Sequence, residues 1–237
     1  VEHGRLFYER NESATLVRWL RSAEAVATAP APELGIHLLA AEIAALDSMA
    51  AAATYQRVLR RGGMSDGEQA TAHALYSLLG LDDLPPYEIE QASSDGLEFA
   101  QTADDRDLVD LIGAGGPSTV EFFLRFMPGV AAFHRGDLPT AIERLEAVFA
   151  MDAMQYPVWK VYSLGMLGLA RAWFGDLDVG ESLALRSIEL AQHSSIGKHV
   201  ALAYPRHALA LIALDRLDHS TAAEHLRSAG VAVEQSN

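Results

Sequence analysis

The chain has 237 residues, half of them hydrophobic, no cysteine and a formal net charge of −14. The charge repels phosphate backbones, so we expect no direct nucleic-acid binding. Without cysteine the chain has neither a disulfide framework nor a thiolate nucleophile. The longest apolar stretch, Ile36 to Ala53, carries charged residues and is expected not to cross a membrane. No signal peptide is recognised after Val1, which favours a cytoplasmic protein.

Apolar residues recur at helical spacing along the chain, and no comparable run alternates with the period of two that a half-buried strand shows. The clearest groups, in chain order, are Leu16, Trp19 and Leu20, then Leu38, Leu39, Ile43 and Leu46, then Ile142, Leu145, Val148 and Phe149. Start signals accompany them as capping-box spacings at Ser65 and Glu68, Ser118 and Glu121, and Thr140 and Glu143. The sequence therefore predicts an all-α fold.

A short turn motif repeats at a fixed period. Arg135-Gly136-Asp137-Leu138 returns 39 residues later as Phe174-Gly175-Asp176-Leu177, and each copy has a glycine seven residues upstream, Gly129 and Gly168. A small residue at this position predicts a close crossing of two helices. A degraded third copy, Leu214-Asp215-Arg216-Leu217, follows after a further 40 residues. A period of this size is typical of helical-repeat solenoids. We expect a tetratricopeptide-like solenoid, a right-handed superhelix of antiparallel helix pairs.

Weaker turns extend the repeat towards the start of the chain. Aligning Asn11, Asp47 and Asp83 with the later copies gives spacings of 36, 36, 54, 39 and 40 residues. The long spacing contains an acidic and then glycine-rich stretch near residues 104–118, which predicts an irregular inserted loop. The whole of 1–237 is accordingly predicted to be one solenoid domain.

Three local features need separate interpretation. Pro128 and Pro205 fall within predicted first helices of repeats, where proline bends a helix or marks a late start. His193 and His199 are six residues apart, a spacing that favours loop histidines over metal ligands. Asp218 is best explained as a helix N-cap.

The sequence lacks several common nucleotide-binding and catalytic motifs. It contains no phosphate loop, no dinucleotide-binding glycine pattern, no His-Glu-x-x-His and no Gly-x-Ser-x-Gly. We therefore expect a non-catalytic protein, with no catalytic residue, no metal site and no cofactor.

What remains is a binding surface. In tetratricopeptide geometry the first helices of successive repeats line a concave groove, and the turn register assigns aromatic residues to it. The predicted ligand-binding residues are Phe126, Trp159, Tyr162, Trp173 and Arg206. Packing in the core is the alternative for such rings, but Trp159 and Tyr162, beside Lys160, are expected to be partly exposed. Rings with nearby donors suit a sugar-like or peptide ligand.

The chain resembles the sensor region of the MalT-like, large ATP-binding LuxR-type transcriptional regulators. Ser13 to Leu20 looks like the helix that opens their solenoid, Ala31 to Ala40 is similar to the helix after the family's proline-rich loop, and Ala208 to Asp218 looks like the last repeats. In that family an ATPase module and a helix-turn-helix flank the solenoid, which receives an inducer and takes part in self-association. Neither flank is found here, so the resemblance implies a piece of such a regulator.

The resemblance implies a sensor that binds a small-molecule inducer or a protein partner and couples groove occupancy to homo-oligomerisation or to the ATPase module. Two alternatives stay open. One is a general interaction scaffold with a peptide in the concave groove. The other is an all-helical enzyme whose acid–base residues converge only in the folded chain.

Overall fold

A computed structural model describes residues 13–27, 31–81, 84–104, 116–151, 156–194 and 196–234. In these ranges the regular structure is entirely helical, and the helices pack in adjacent pairs, which confirms the all-α prediction. The chain forms two compact units, Val1–Ala131 and Ala132–Asn237.

The first unit is built from five helices and most of a sixth. They are α1 (Ser13–Val26), α2 (Pro32–Ala44), α3 (Ser48–Arg61), α4 (Asp66–Leu78), α5 (Pro86–Thr102) and α6 (Gly116–His134), the last contributing its residues up to Ala131. Helix α2 packs on α1, α3 and α4, and α4 packs closely on α5. The core lies between these helices and includes Ile36, Leu39 and Ile89, all fully buried.

The second unit continues with α7 (Leu138–Ala147), α8 (Pro157–Phe174), α9 (Leu177–His193), α10 (Ala203–Asp215) and α11 (His219–Glu234). The closest helix pairs are α8 with α9 and α10 with α11, and α10 also packs on both α8 and α9. One hydrophobic cluster joins Leu169 of α8, Ala184 of α9 and Leu209 of α10, with Phe133 packed against it.

Four tight turns between consecutive helices share one backbone geometry. A residue with positive φ ends the first helix in each case: Leu46 (56°), Gly136 (77°), Gly175 (100°) and Leu217 (60°). Its N–H donates to the carbonyl three residues back, and the N–H of the next residue donates to the carbonyl five residues back. These two hydrogen bonds satisfy carbonyl groups that a helix end leaves free. We call it the left-handed turn.

An aspartate follows the left-handed residue in all four turns and begins the next helix. The carboxylates of Asp47, Asp137 and Asp218 each accept the backbone N–H three residues ahead. Hydrogen bonds from Thr221 and Ser220 lower the pKa of Asp218 to about 2. The N-cap prediction for Asp218 is therefore confirmed. The predicted alignment of Arg216 with Asp176 is wrong by two residues, because the fourth turn is made by Leu217 and Asp218.

Glycine allows α8 and α9 to approach closely. A Cβ atom on Gly168 would lie 3.1 Å from the carbonyl oxygen of Gly180 and 3.2 Å from the amide nitrogen of Ala184. Farther from the turn, the Ser187 hydroxyl donates to the Val161 carbonyl at 2.9 Å. Residues farther from the turn on α8 contact residues farther from the turn on α9, so the two helices run antiparallel. The predicted close crossing at Gly168 is confirmed.

Several local expectations have clear outcomes. The capping box of Ser65 and Glu68 is confirmed, with both of its hydrogen bonds formed. The boxes at Ser118 and Thr140 were wrong, because their helices already begin at Gly116 and Leu138. Pro205 lies in the first turn of α10, a late start as expected, whereas α6 continues through Pro128.

Other predictions lie beyond what the structure describes. The candidate turns at Asn11 and Asp83, and residues 105–115 of the predicted inserted loop, are outside the described residues. The prediction of a single domain stays a prediction. None of the described helices combines the length and apolar character that crossing a membrane requires.

Replacing Gly168 by leucine should destabilise the fold by about 3 kcal/mol, because the neighbouring atoms are backbone of α9 and cannot move aside cheaply. Urea unfolding followed by circular dichroism measures the change. The matched control is Gly197→Leu, since a Cβ at Gly197 has no atom within 4 Å. Equal stability of the Gly168 variant and wild type would contradict the close crossing.

Replacing Leu217 by glycine should stabilise the fold by about 0.5–1 kcal/mol, because leucine has a conformational penalty at positive φ that glycine lacks. Leu217 is 78% exposed, so little packing is lost. Leu214→Gly, inside the last turn of α10, is the control and should lower stability by about 1 kcal/mol. A loss of stability in the Leu217 variant would exclude the left-handed geometry.

Candidate functional site

Phe126, one of the predicted groove residues, lies in the core of the structure. Its side chain is only 2% exposed, and its ring stacks on Phe122 with centroids 5.3 Å apart. A ring that is covered on α6 has no face to offer a ligand in this conformation. Helical spacing had placed Phe126 on the inward side of its helix, but spacing alone does not separate a groove-facing ring from a core ring.

Trp159 and Tyr162 were predicted to be partly exposed, and this was wrong. Each is 9% exposed, and their rings lie 6.1 Å apart near the start of α8. Tyr162 meets His199 edge-on at 6.0 Å and Tyr204 at 5.9 Å. We call Trp159, Tyr162, His199 and Tyr204 the ring cluster.

The segment between α9 and α10 brings His199 and Tyr204 onto these rings. After α9 ends, the N–H of Ile196 donates to the Ala191 carbonyl at 3.0 Å, which turns the chain back. A short 3-10 helix, Val200–Leu202, then leads into α10. Because a Cβ on Gly165 would lie 2.5 Å from Pro205, the start of α10 is in close contact with α8. This fold-back is a tertiary effect that helical spacing does not report.

His199 lies in the connection between α9 and α10, as predicted, and it is a buried, neutral histidine. Its Nδ1 accepts the backbone N–H of Ala201 at 3.1 Å, so the ring proton is on Nε2. Burial lowers the pKa of the imidazole to about 4. His193, also predicted to be a loop residue, is instead the last residue of α9 and is exposed. Among the described residues, no group of three or more histidine and carboxylate side chains could hold a metal ion.

Arg206 is half-buried on α10, and its charge acts on His225 of α11. Burial first, and then this positive charge, lower the pKa of His225. Arg206 therefore lies near α11, the helix that is paired with α10. Of the five predicted ligand-binding residues, three are therefore buried and Arg206 is half-buried; the role of all five in binding stays a prediction.

Trp173 is the most exposed of the five predicted residues. It is 60% exposed in the last turn of α8, three residues before the turn aspartate Asp176. The equivalent residues, three before Asp137 and Asp218, are His134 of α6 and Asp215 of α10, and both are exposed. We call His134, Trp173 and Asp215 the first-helix row. A register that aligns Arg216 with Asp176 does not place Asp215 in this row, whereas the N-cap signal at Asp218 gives the correct register.

Ion pairs connect the C-terminal ends of α8 and α10, which carry Trp173 and Asp215, to the helices that precede them, α7 and α9. Arg171 donates to Glu146 of α7 and, at 2.7 Å, to Asp176 in the turn. Arg216 makes a two-pronged contact with Glu181 of α9 at 2.7 and 2.8 Å. Planar guanidinium groups with two acceptors fix orientation better than single exposed pairs. These ion pairs connect the end of α8 to α7 and the turn after α10 to α9.

The first unit contains a separate polar cluster. The Tyr55 hydroxyl and His73 Nδ1 are hydrogen-bonded at 3.0 Å, and Tyr76 stacks on Tyr55 at 3.9 Å. Burial raises the pKa of Tyr55 and lowers that of His73, with the charge of Asp95 a smaller influence on both. These shifts keep both groups neutral at neutral pH. The pair thus suits a buried bridge between α3 and α4 better than acid–base work, which needs a pKa near the working pH.

No protein-family model matches this chain, and no curated protein matches it in sequence.

Acidification should destabilise the protein through His199. The unfolded imidazole gains its proton near pH 6.5 and the folded one only near pH 4, so stability falls as pH drops through this interval. Linkage gives about 1.4 kcal/mol per pH unit where the two states differ by a full proton.

His199→Asn supplies an oxygen in place of the Nδ1 acceptor and removes this titration. Its plot of unfolding free energy against pH should therefore be flatter than that of wild type between pH 6.5 and 4. Some slope remains, because burial also lowers the pKa of His73, His134, His207 and His225. Parallel curves would contradict the buried neutral state of His199.

Proposed function

We propose that the chain is a tetratricopeptide-like solenoid whose function is binding and not catalysis. The observation that carries this proposal is the left-handed turn, which recurs with the same two hydrogen bonds at Leu46, Gly136, Gly175 and Leu217. A turn that repeats in both units, each time between packed helices, is what a stack of equivalent helix pairs requires. The packing of α10 on both helices of the preceding pair agrees with such a stack.

Within this class, the proposed role is the sensor region of a MalT-like LuxR-type regulator. Its support is the resemblance of residues 13–20, 31–40 and 208–218, which fall on α1, on the start of α2 and on α10 with its turn. The chain's net charge of −14 agrees with a region that does not itself hold DNA. DNA contact and ATP hydrolysis would belong to other modules of such a regulator.

The proposed ligand surface is the first-helix row. Trp173 offers an apolar indole face, and His134 and Asp215 offer hydrogen-bonding groups at the equivalent positions of the neighbouring repeats. Aromatic faces flanked by polar groups suit sugar rings and peptide side chains. A ligand that touches the first helices of successive pairs would favour one arrangement of those pairs, which is how binding becomes a signal.

The alternative is a scaffold that holds a peptide on the same surface. The exposed Phe174, 52% accessible beside Trp173, favours it, because adjacent exposed rings are common anchors for peptides. The full reading frame separates the two functions. A phosphate loop before Val1 and a helix-turn-helix after Asn237 would support the regulator, and their absence from the gene would favour the scaffold.

The binding test is a thermal-shift screen with oligosaccharides, small metabolites and peptides. A ligand that stabilises wild type should bind Trp173→Ala more weakly by about 1–3 kcal/mol, measured by isothermal titration calorimetry. Trp19→Ala is the matched control, because Trp19 is an indole of similar exposure, 57% against 60%, in the first unit. Equal binding by the Trp173 variant and wild type would place the site elsewhere. Loss of binding in the Trp19 variant would do the same.

A further inference from the structure

The last helix, α11, exposes a face that is covered on the equivalent helices. Eight residues after the turn aspartate stand Tyr55 on α3, Leu145 on α7 and Ala184 on α9, which are 5%, 0% and 0% exposed. The same position on α11 is Leu226, which is 48% exposed. Val233, equivalent to the fully buried Ala191, is 38% exposed.

On α3 and on α9, the helix that follows in the chain covers this position. Tyr55 stacks on Tyr76 of α4 and bonds to His73 of the same helix. Ala184 lies in a hydrophobic cluster with Ala208 and Leu209 of α10. The repeat geometry therefore identifies the natural occupant of the α11 face as another α-helix with small and apolar residues. Within the described part of the chain, no further helix follows α11.

The exposed face is also complementary to itself. Its stripe consists of Ala223, Leu226, Gly230 and Val233, with spacings of three, four and three residues that are symmetric about Ser228. Two copies of α11 packed antiparallel about a two-fold axis at Ser228 place Leu226 over Gly230 and Val233 over Ala223. Each large side chain then meets a small one, as an isologous interface requires.

Gly230 fits this arrangement and is otherwise unfavourable. It lies inside α11, where glycine lowers helix stability relative to alanine. A Cβ there would meet no atom within 4 Å, so packing within the unit does not require glycine. Antiparallel packing also opposes the two helix dipoles, which is favourable. The stripe carries no charge, and both signs stand beside it in Glu224 and Arg227.

We propose that the α11 face, Ala223, Leu226, Gly230 and Val233, binds the same face of a second copy of this chain. This surface is separate from the first-helix row and does not depend on ligand binding there. One helix face per copy buries a modest area, so the dimer is weak, with a dissociation constant in the micromolar range. The net charge of −14 on each copy opposes association, so added salt should strengthen it.

The test is sedimentation velocity of the whole chain across the micromolar range at low and high salt. Wild type should show a concentration-dependent dimer, and Leu226→Lys should weaken it about tenfold or more. The matched control is Leu185→Lys on α9, because Leu185 is 52% exposed but lies outside the stripe. Circular dichroism checks that each variant is folded.

Gly230→Leu is a second variant that separates association from folding. It should raise the melting temperature of the monomer, because leucine favours the helix, and should abolish the dimer, because the small position is filled. A wild-type chain that stays monomeric throughout overturns the proposal. So does a dimer that survives in Leu226→Lys or in Gly230→Leu, or one that Leu185→Lys disrupts equally.

Discussion

The left-handed turn with its aspartate is the constraint on which both units depend. One residue at positive φ lets two backbone N–H groups bond to carbonyls of the helix that is ending, and in three of the four turns the aspartate side chain then caps the helix that begins. Both sets of free groups are satisfied within a few residues. Helices joined in this way lie side by side, so the apolar residues of each are available to the other and to the next pair.

The same turn also sets where exposed groups recur. Residues three before the aspartate point outward at His134, Trp173 and Asp215, while residues four after it, Ala51, Ala141, Gly180 and Ala222, are buried where the two helices meet. Small residues at that inner position keep each pair close. A surface built from equivalent positions can vary in chemistry without disturbing the packing beneath it.

Buried polar groups lie where a later segment of the chain covers a helix. The ring cluster around Tyr162 includes a histidine held neutral by burial, and the Tyr55–His73 bond links α3 to α4. In each case a polar atom is covered by rings and has a hydrogen-bond partner. Such sites raise the specificity of packing, because an alternative arrangement would leave the polar atom without that partner.

The sequence by itself determined the all-helical fold, the turns at Asp137 and Asp176, the cap at Asp218 and the close crossing at Gly168. The helices, the turns and the cap depend on neighbours within one or two turns, where residue type and spacing are sufficient. The crossing is a contact between two helices, and its signal in the sequence is a glycine that recurs with the turn motif. Only the tertiary structure decided that Phe126, Trp159 and Tyr162 are buried and that Trp173 is exposed. Those outcomes depend on which segment folds over a helix face, as the chain at His199 and Tyr204 does, and helical periodicity is the same for a covered face and an open one.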